Sequence, residues 1–257
     1  MRKLLLVLII TLVPILIYPE EKTTVDKHII TIKAEQQEAV NKGDVEGLKE
    51  ISSKLERLST FGDKEWLVNY YLALNNYKIC TILYENEKEE SQKYLESAKA
   101  EVQKSIEGKD DFADSHALFA AILGMEIGFE PQLGMVNGIK TGKEIEKAKN
   151  LEPENPRVYL IDGNGKLYTP AMFGGGMDKA IGLFEKAIEL FEKEKDRGIY
   201  PDWGNDEAYV WLGNAYKEKE EDSTAILYYK KALEINPDYG CAKYLLEELD
   251  TLGFSHQ

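Results

Sequence analysis

The chain has 257 residues, of which 46 are acidic and 32 basic, and its formal net charge is −14. A hydrophobic content of 43% with only two cysteines excludes a disordered tail and a disulfide-stapled miniprotein. The acidic balance disfavours nucleic acid and anionic lipid as partners, because binding to either depends on Lys and Arg near phosphates. The composition therefore predicts a folded, soluble protein with a sizeable core.

The first 19 residues predict export. A short basic stretch at residues 1–3 precedes an apolar run at residues 4–18, which is the order of regions in a secretory signal. The run is shorter than the roughly 20 residues that span a bilayer. Cleavage as a signal peptide is therefore favoured over retention as an inner-membrane anchor, and both readings stay open. We expect residues 20–257 to work in the periplasm or elsewhere outside the cytoplasm.

The rest of the chain predicts an all-α protein. From about Val25 onward, apolar residues recur at a spacing of three or four, with almost no alternation of the β type. Regular breaks separate helices of about 13 to 20 residues, and about eleven helices follow from them. The breaks fall at residues 41–44, 61–63, 108–111, 152–156, 169–176, 200–205 and 236–240. Short connections between helices predict a series of hairpins.

An internal repeat explains this rhythm, and its clearest copy is residues 206–239. The residues that carry the pattern are Tyr209, Leu212, Gly213, Tyr216, Ala225, Tyr229, Ala232 and Pro237. They resemble the tetratricopeptide repeat (TPR), a helix-turn-helix unit of about 34 residues. In this reading Gly213 and Ala225 let the two helices approach closely, and Pro237 ends the second helix.

Two upstream copies, at residues 113–153 and 156–190, repeat the scheme. They are carried by Gly124, Thr141, Ile145, Ala148 and Pro153, and by Gly163, Ala180, Phe184 and Ala187. The two small residues of a hairpin are 17 apart in both copies and 12 apart in the last one, which predicts an equal extension of both middle repeats. With weaker hairpins before them and a capping helix at 239–252, the resemblance implies an α-solenoid of about five TPR-like hairpins.

The same resemblance implies that a partner segment binds in the concave groove. The groove candidates are Arg157, Leu160, Asn164, Leu167, Val210, Asn214 and Lys217. The two asparagines follow the motif glycines directly, a place where peptide-binding TPR proteins commonly bond the ligand backbone. A locally bonded asparagine is the alternative. Leu160 and Val210 stand where a carboxylate clamp would carry positive charge, so a mixed apolar and polar segment is expected rather than an acidic C-terminus.

The sequence contains no familiar catalytic or metal-binding pattern, and we predict no enzyme activity, no cofactor and no metal. The glycines at 174–176 are interpreted as a turn with Met172 and Phe173 in the core, with an anion site as the alternative. Cys80 and Cys241 are interpreted as buried small side chains.

We therefore predict a non-catalytic interaction scaffold of the cell envelope that binds another protein or peptide. An alternative is an accessory component of a transport system, in which the turns at 128–133 and 169–176 contact a small ligand or a transporter's binding protein. Self-association is a further alternative, and membrane contact is expected only through an uncleaved N-terminal segment.

Overall fold

The computed structural model describes residues 24–59, 64–251 and 253. In these residues the chain forms eleven α-helices and two 3-10 turns, without a strand, which confirms the all-α prediction. The helices are α1 (Thr24–Lys42), α2 (Val45–Ser59), α3 (Glu65–Leu83), α4 (Lys88–Gly108), α5 (Ala113–Phe129), α6 (Gly134–Leu151), α7 (Pro156–Tyr168), α8 (Met177–Phe191), α9 (Asn205–Glu218), α10 (Asp222–Ile235) and α11 (Gly240–Thr251). The predicted leader at residues 1–19 and the break at 61–63 lie outside the described residues.

Consecutive helices pair as hairpins, and the hairpins stack. α1 packs against α2, α3 against α4, α5 against α6, α7 against α8 and α9 against α10. Neighbouring hairpins also pack on each other, through α2 and α3, α4 and α5, α5 and α7, and α8 and α9. In such a stack the first helix of each hairpin lines the concave side. The predicted α-solenoid of five hairpins is therefore confirmed.

The start of α7 shows how local sequence sets a helix boundary. The Asn155 side chain accepts a hydrogen bond from the backbone N–H of Arg157 at 3.1 Å, which satisfies one of the amides that a helix start leaves unpaired. Pro156 occupies the first turn, where its missing N–H costs nothing. The predicted break at 152–156 thus becomes a capped helix start.

Two motif glycines are close-contact positions, as predicted. A Cβ atom at Gly163 would lie 2.5 Å from the Phe184 ring, and one at Gly213 would lie 2.5 Å from the Tyr229 ring. Each aromatic ring comes from the second helix of the same hairpin. The absence of a side chain on the first helix is therefore what lets the ring pack flat against it.

The third predicted small residue, Gly124, was assigned wrongly. It is exposed, and a Cβ atom there would meet nothing within 4 Å. Ala120 instead lies in one buried cluster with Ile145 and Ala148, so the repeat in α5 begins about one helical turn earlier. The inferred equal extension of the two middle repeats therefore does not hold.

The turn between α7 and α8 is built by its glycines. Gly174 and Gly176 have φ values of +85° and +118°, a region that side-chain-bearing residues rarely adopt. The amides of residues 174, 175 and 176 donate to the carbonyl oxygens of Ala171, Pro170 and Lys166, which disfavours the anion alternative. The prediction that Met172 and Phe173 enter the core is wrong, since they are 83% and 71% exposed.

The C-terminal helix closes the stack. α11 packs on α10 and buries Ala242 and Leu249, as the capping-helix prediction requires. It also reaches α1, where the backbone of Asn41 lies against Gly240. Both cysteines are free. Cys80 is buried as predicted, whereas the same prediction is wrong for Cys241, which is exposed.

Candidate binding surfaces

The connection from α8 to α9, residues 192–204, lies across the concave side of the solenoid, and we call it the crossing segment. Gly198 and Gly204 have positive φ values of +59° and +107°, and Pro201 lies between them, so this stretch cannot continue a helix. Its residues bond to the first helices of the first four hairpins, α1, α3, α5 and α7. The chain therefore fills part of its own groove.

Arg157 on α7 is the charged centre of this contact, and its side chain is completely buried. Its Nε donates to Asp114 at 2.9 Å, and Nη1 donates to Glu194 and to the backbone oxygen of Trp203, both at 3.1 Å. Burial alone would disfavour the charged guanidinium, but the carboxylates of Asp114 and Glu194 outweigh it and raise the pKa of Arg157. Arg197 adds a second ion pair to Asp114 at 3.1 Å. Such pairing is what makes a buried charge tolerable.

Aromatic side chains of α3 hold the far end of the crossing segment. The Tyr71 hydroxyl donates to the Ile199 backbone oxygen at 2.7 Å, and Trp203 Nε1 donates to the Tyr70 hydroxyl at 2.9 Å. Burial raises the pKa of Tyr70 well above its ordinary value, so the phenol stays neutral. The Trp203 ring packs against all three apolar clusters of the molecule. It is the side chain that joins the N-terminal and C-terminal halves of the core.

α1 clamps the segment from the opposite side. The Lys33 ammonium donates to the backbone oxygens of Gly198 and Tyr200, each at 2.7 Å, and pairs with Asp202 at 2.8 Å. A further ion pair joins Lys78 of α3 to Glu207 of α9. The second and last hairpins are thus tied together across the concave side, and the first hairpin is tied to the crossing segment.

Three of the predicted groove residues are not available to a partner. Arg157, Leu160 and Val210 are buried, and Gly204 of the crossing segment lies against both Leu160 and Arg157. The prediction that these side chains face an open groove is wrong. The crossing segment covers Arg157 and Leu160, and Val210 lies in the C-terminal apolar cluster.

The other four predicted residues are partly exposed. Asn214 accepts a hydrogen bond from the Tyr229 hydroxyl at 2.7 Å, and Lys217 pairs with Glu248 of α11 at 2.9 Å. Leu167 packs against the C-terminal apolar cluster. Asn164 keeps a buried Oδ1 that accepts no hydrogen bond from the described residues. A ligand-binding role for these residues stays a prediction.

An open cleft of about 480 Å³ remains beside the crossing segment. Its walls are α1, α3 and the segment itself, and it is lined by Ile30, Lys33, Ala34, Gln36, Gln37, Val40, Tyr71, Leu74, Lys78, Asp196, Gly198, Asp202 and Trp203. A second cleft continues along α1 to the start of α11 and shares Ala34 and Gln37 with the first. Together they form one trough along α1, which we call the α1 cleft.

Sequence reasoning missed Glu194, Arg197 and Trp203, the residues that close the concave side. The sequence contains one signal for them, which is that arginine is rare: the chain has only four arginines. In the structure, two of these four pair with Asp114. Arginine is favoured over lysine for buried ion pairs because its planar group satisfies several acceptors at once.

The described residues contain no cluster of His, Cys, Asp and Glu that could hold a metal ion. None of the helices in those same residues combines the length and hydropathy needed to cross a bilayer.

Comparison with known proteins agrees with this geometry. The tetratricopeptide repeat family model matches residues 206–239, and no curated protein matches the chain. The fold is similar to TTC0263, a thermophilic TPR protein in Thermus thermophilus, with a TM-score of 0.61, 14% identity, and coverage of 86% of this chain and 97% of that one. It is also similar to the HusA haemophore from Porphyromonas gingivalis, with a TM-score of 0.59, 21% identity, and coverage of 76% and 92%.

These matches agree with the glycine-to-ring contacts in α7–α8 and α9–α10 and with the stacking of five hairpins. The chain is an α-solenoid of five helical hairpins, and its last hairpin, at residues 206–239, matches the tetratricopeptide repeat.

Proposed function

We propose that this protein is a non-catalytic scaffold of the cell envelope that binds an extended segment of another protein in the α1 cleft. The TPR α-solenoid supports a role in protein interaction. The apolar run at residues 4–18 supports export. The observation that carries the site is that the chain fills its concave side near Arg157 and leaves the α1 cleft open.

The size of the α1 cleft suits a short extended peptide. It follows α1 from Ile30 to Lys42, a length of roughly 18 Å at about 1.5 Å per residue. An extended chain advances about 3.3 Å per residue, so roughly five or six partner residues fit.

The lining of the α1 cleft suits the backbone of such a peptide. The partly buried Gln37 side chain donates to Asn41 Oδ1 at 2.9 Å, so it keeps one N–H and its carbonyl oxygen for a ligand. The Asn41 amide also exchanges hydrogen bonds with Asn236 and keeps one N–H. Lys33, Asp196 and Asp202 add both signs of charge at one end. This surface favours a mixed apolar and polar segment over a strongly acidic one.

A steric block tests this site. Ala34 is exposed on α1 and lines both parts of the cleft, so Ala34→Arg should fill the trough without disturbing the core. Ala100→Arg on α4 is the matched control, since it places the same side chain on another exposed helical alanine. After crosslinking in the native host and affinity capture, we expect the partner to be lost from the first variant and retained by the second.

The predicted concave asparagines are tested in the same assay. If Asn164→Ala with Asn214→Ala abolishes capture while Ala34→Arg retains it, the partner binds on the uncovered half of the concave side and the α1 cleft is the wrong site. The N-terminal peptide of the captured protein, measured by mass spectrometry, reports whether residues 1–19 are cleaved. An intact N-terminus with the protein in the soluble cytoplasmic fraction would contradict export.

A second candidate is a small-ligand accessory of a transport system. The part of the α1 cleft beside the crossing segment has a volume of about 480 Å³, which lies within the range of small-molecule sites, and one protein of similar fold is a haemophore. A ligand that binds only the folded state raises the melting temperature by mass action. A metabolite screen by thermal shift tests this candidate, and a shift that Ala34→Arg removes would favour it over the protein partner.

A further inference from the structure

Two neighbouring glutamines of α1, Gln36 and Gln37, line the inner part of the α1 cleft, beside the crossing segment. The Gln36 side chain is deep in the protein, since the residue is only 6% exposed. Its Oε1 nevertheless accepts no hydrogen bond from the residues that the structure describes. This oxygen is not fully enclosed either, so the cleft is the side from which a donor can reach it. Polar atoms at such depth are normally hydrogen-bonded, which points to a donor from a ligand or water.

A relay of amides fixes the edge that Gln36 turns toward the cleft. The Asn75 Nδ2 group donates to the Leu48 backbone oxygen at 2.7 Å and to Ser52 Oγ at 2.8 Å. Because a backbone oxygen can only accept, Asn75 must turn its own Oδ1 toward Gln36. That oxygen accepts from Gln36 Nε2 at 3.0 Å. One N–H therefore holds the Gln36 nitrogen inward, and the Oε1 and the second N–H are left for a ligand.

A second relay fixes Gln37, and it crosses from α1 to the end of α10. The Asp206 carboxylate accepts from Asn236 Nδ2 at 2.6 Å, and the same Nδ2 donates to Asn41 Oδ1 at 2.8 Å. Gln37 Nε2 donates to that same Asn41 oxygen at 2.9 Å. The two glutamines are thus anchored by different residues, but each keeps one carbonyl oxygen and one N–H.

The charged side chains that line the α1 cleft already have partners within the protein. All but one of them pair with an opposite charge. The pairs are Lys33 with Asp202, Lys78 with Glu207, Lys42 with Glu38 and Lys243 with Asp238. The remaining one, Asp196, accepts from the Gly198 amide at 2.8 Å. The two neutral glutamine amides are therefore better placed than the charges to bind a neutral group.

The free edge of such an amide matches the main chain of a peptide. Every non-proline residue carries one N–H donor and one C=O acceptor on its main chain, and Gln36 and Gln37 each offer one acceptor and one donor in return. Because the main-chain groups are the same for almost all residues, this kind of binding depends little on the side chains of the ligand.

We propose that Gln36 and Gln37 bind the main chain of the partner segment, and that Asn236 is a positioning residue that holds the Gln37 amide in the binding orientation. The inference rests on the proposed function, because it says how the segment in the α1 cleft is held. It also makes the site depend on closure of the solenoid, since the relay to Gln37 passes from α1 to the end of α10.

A selected peptide serves as the probe. Random heptapeptides displayed on phage are selected on the full chain and depleted on Ala34→Arg, and binding of one enriched peptide is measured by calorimetry. Each backbone N–H of this peptide is then methylated in turn. We expect at least one N-methyl group to weaken binding to the unmodified protein by about tenfold, roughly the effect of one hydrogen bond.

Variants of the protein show which side chain the methyl group disturbs. In Gln37→Leu or in Gln36→Met, the methyl group that disrupts that glutamine's contact should weaken binding by no more than about twofold, because the contact is already lost. Gln103→Leu on α4 is the matched control, since it makes the same change at an exposed glutamine outside the cleft. It should keep the full tenfold effect, and circular dichroism checks that all variants fold.

Asn236→Ala tests the positioning role. We expect it to weaken peptide binding by about tenfold in the unmodified protein and to have no further effect in Gln37→Leu, because both changes remove the same contact. Nitrogen-15 relaxation should show that the Gln37 side-chain amide loses order in Asn236→Ala, while the Gln103 amide is unchanged. A purely structural role would weaken both proteins equally and leave the Gln37 amide ordered, and that result would overturn the positioning role.

The remaining outcomes separate this inference from the proposed function. If methylation has no effect at any position, or weakens binding to both glutamine variants as much as to the unmodified protein, the segment is held by its side chains. The inference is then overturned and the α1 cleft remains the binding site. If no peptide is enriched relative to Ala34→Arg, the α1 cleft binds no segment, which overturns the proposed function together with this inference.

Discussion

Gly213 and Gly124 both lie within the first helix of a hairpin, but Gly213 is tightly packed and Gly124 has open space around it. A Cβ atom at Gly213 would clash with the Tyr229 ring at 2.5 Å, whereas one at Gly124 would meet nothing within 4 Å. We expect Gly213→Ala to destabilise the fold by about 1–3 kcal/mol through overpacking. Gly124→Ala should stabilise it by about 0.5–1 kcal/mol, because glycine is a poor helix former. Urea denaturation of both variants measures the change in the free energy of unfolding. A change in the same direction for both variants would contradict these packing assignments.

Arg157 tests the buried charges. Arg157→Met removes one of the two arginines paired with Asp114 and leaves the buried carboxylate undercompensated, which should cost about 3–5 kcal/mol. Lys193→Met, which breaks the exposed pair of Lys193 with Glu189, serves as the control and should leave the denaturation midpoint unchanged. A midpoint for Arg157→Met equal to that of the control would show that the buried network does not stabilise the fold.

Residue-level prediction from the sequence succeeded where a contact lies within one hairpin. Gly163 meets Phe184 and Gly213 meets Tyr229 at separations that the repeat itself defines. The prediction for Arg157 was wrong, because the position of a residue within the repeat indicates which face of α7 it lies on and does not indicate what covers that face. The residues that cover it are 37 and 46 positions away in the sequence.

The elements followed from periodicity to within a few residues, and the crossing segment is the exception. Helices such as α2 and α8 have strong periodic patterns and clear breaks before them. Residues 192–204 have no period, and their contacts reach Tyr70, Tyr71 and Lys33, which are 128 to 167 positions away. Local patterns carry no information about contacts at such distances, so the segment was expected to be an ordinary connection.

Trp203 is the residue through which the crossing segment joins the core clusters. We expect Trp203→Ala to cost about 3–5 kcal/mol and to split one unfolding transition into two, because contacts between the halves of a solenoid couple their unfolding and this change weakens that coupling. Trp211→Ala is the control, since Trp211 packs only against the C-terminal cluster among those described, and it should keep a single transition. Calorimetry distinguishes the outcomes, and a single transition for Trp203→Ala would contradict the joining role.

At the scale of the whole molecule, the solenoid closes on itself. The Asn41 and Asn236 side chains exchange hydrogen bonds of 3.2 and 2.8 Å between α1 and the end of α10, and Lys78 pairs with Glu207 across the concave side. These contacts, together with the crossing segment, convert an open superhelix into a closed body. The α1 cleft is the trough that this closure leaves beside the first helix.

The central claim is that a partner segment binds along α1 and not on the covered concave side. Its most direct test is photo-crosslinking in the native host, with a photoreactive residue replacing Gln37 in the α1 cleft or Asn214 on the concave side. We predict a discrete crosslinked partner from position 37 and none from position 214. A partner captured from position 214 and absent from position 37 would contradict the claim and place the binding surface on the concave side.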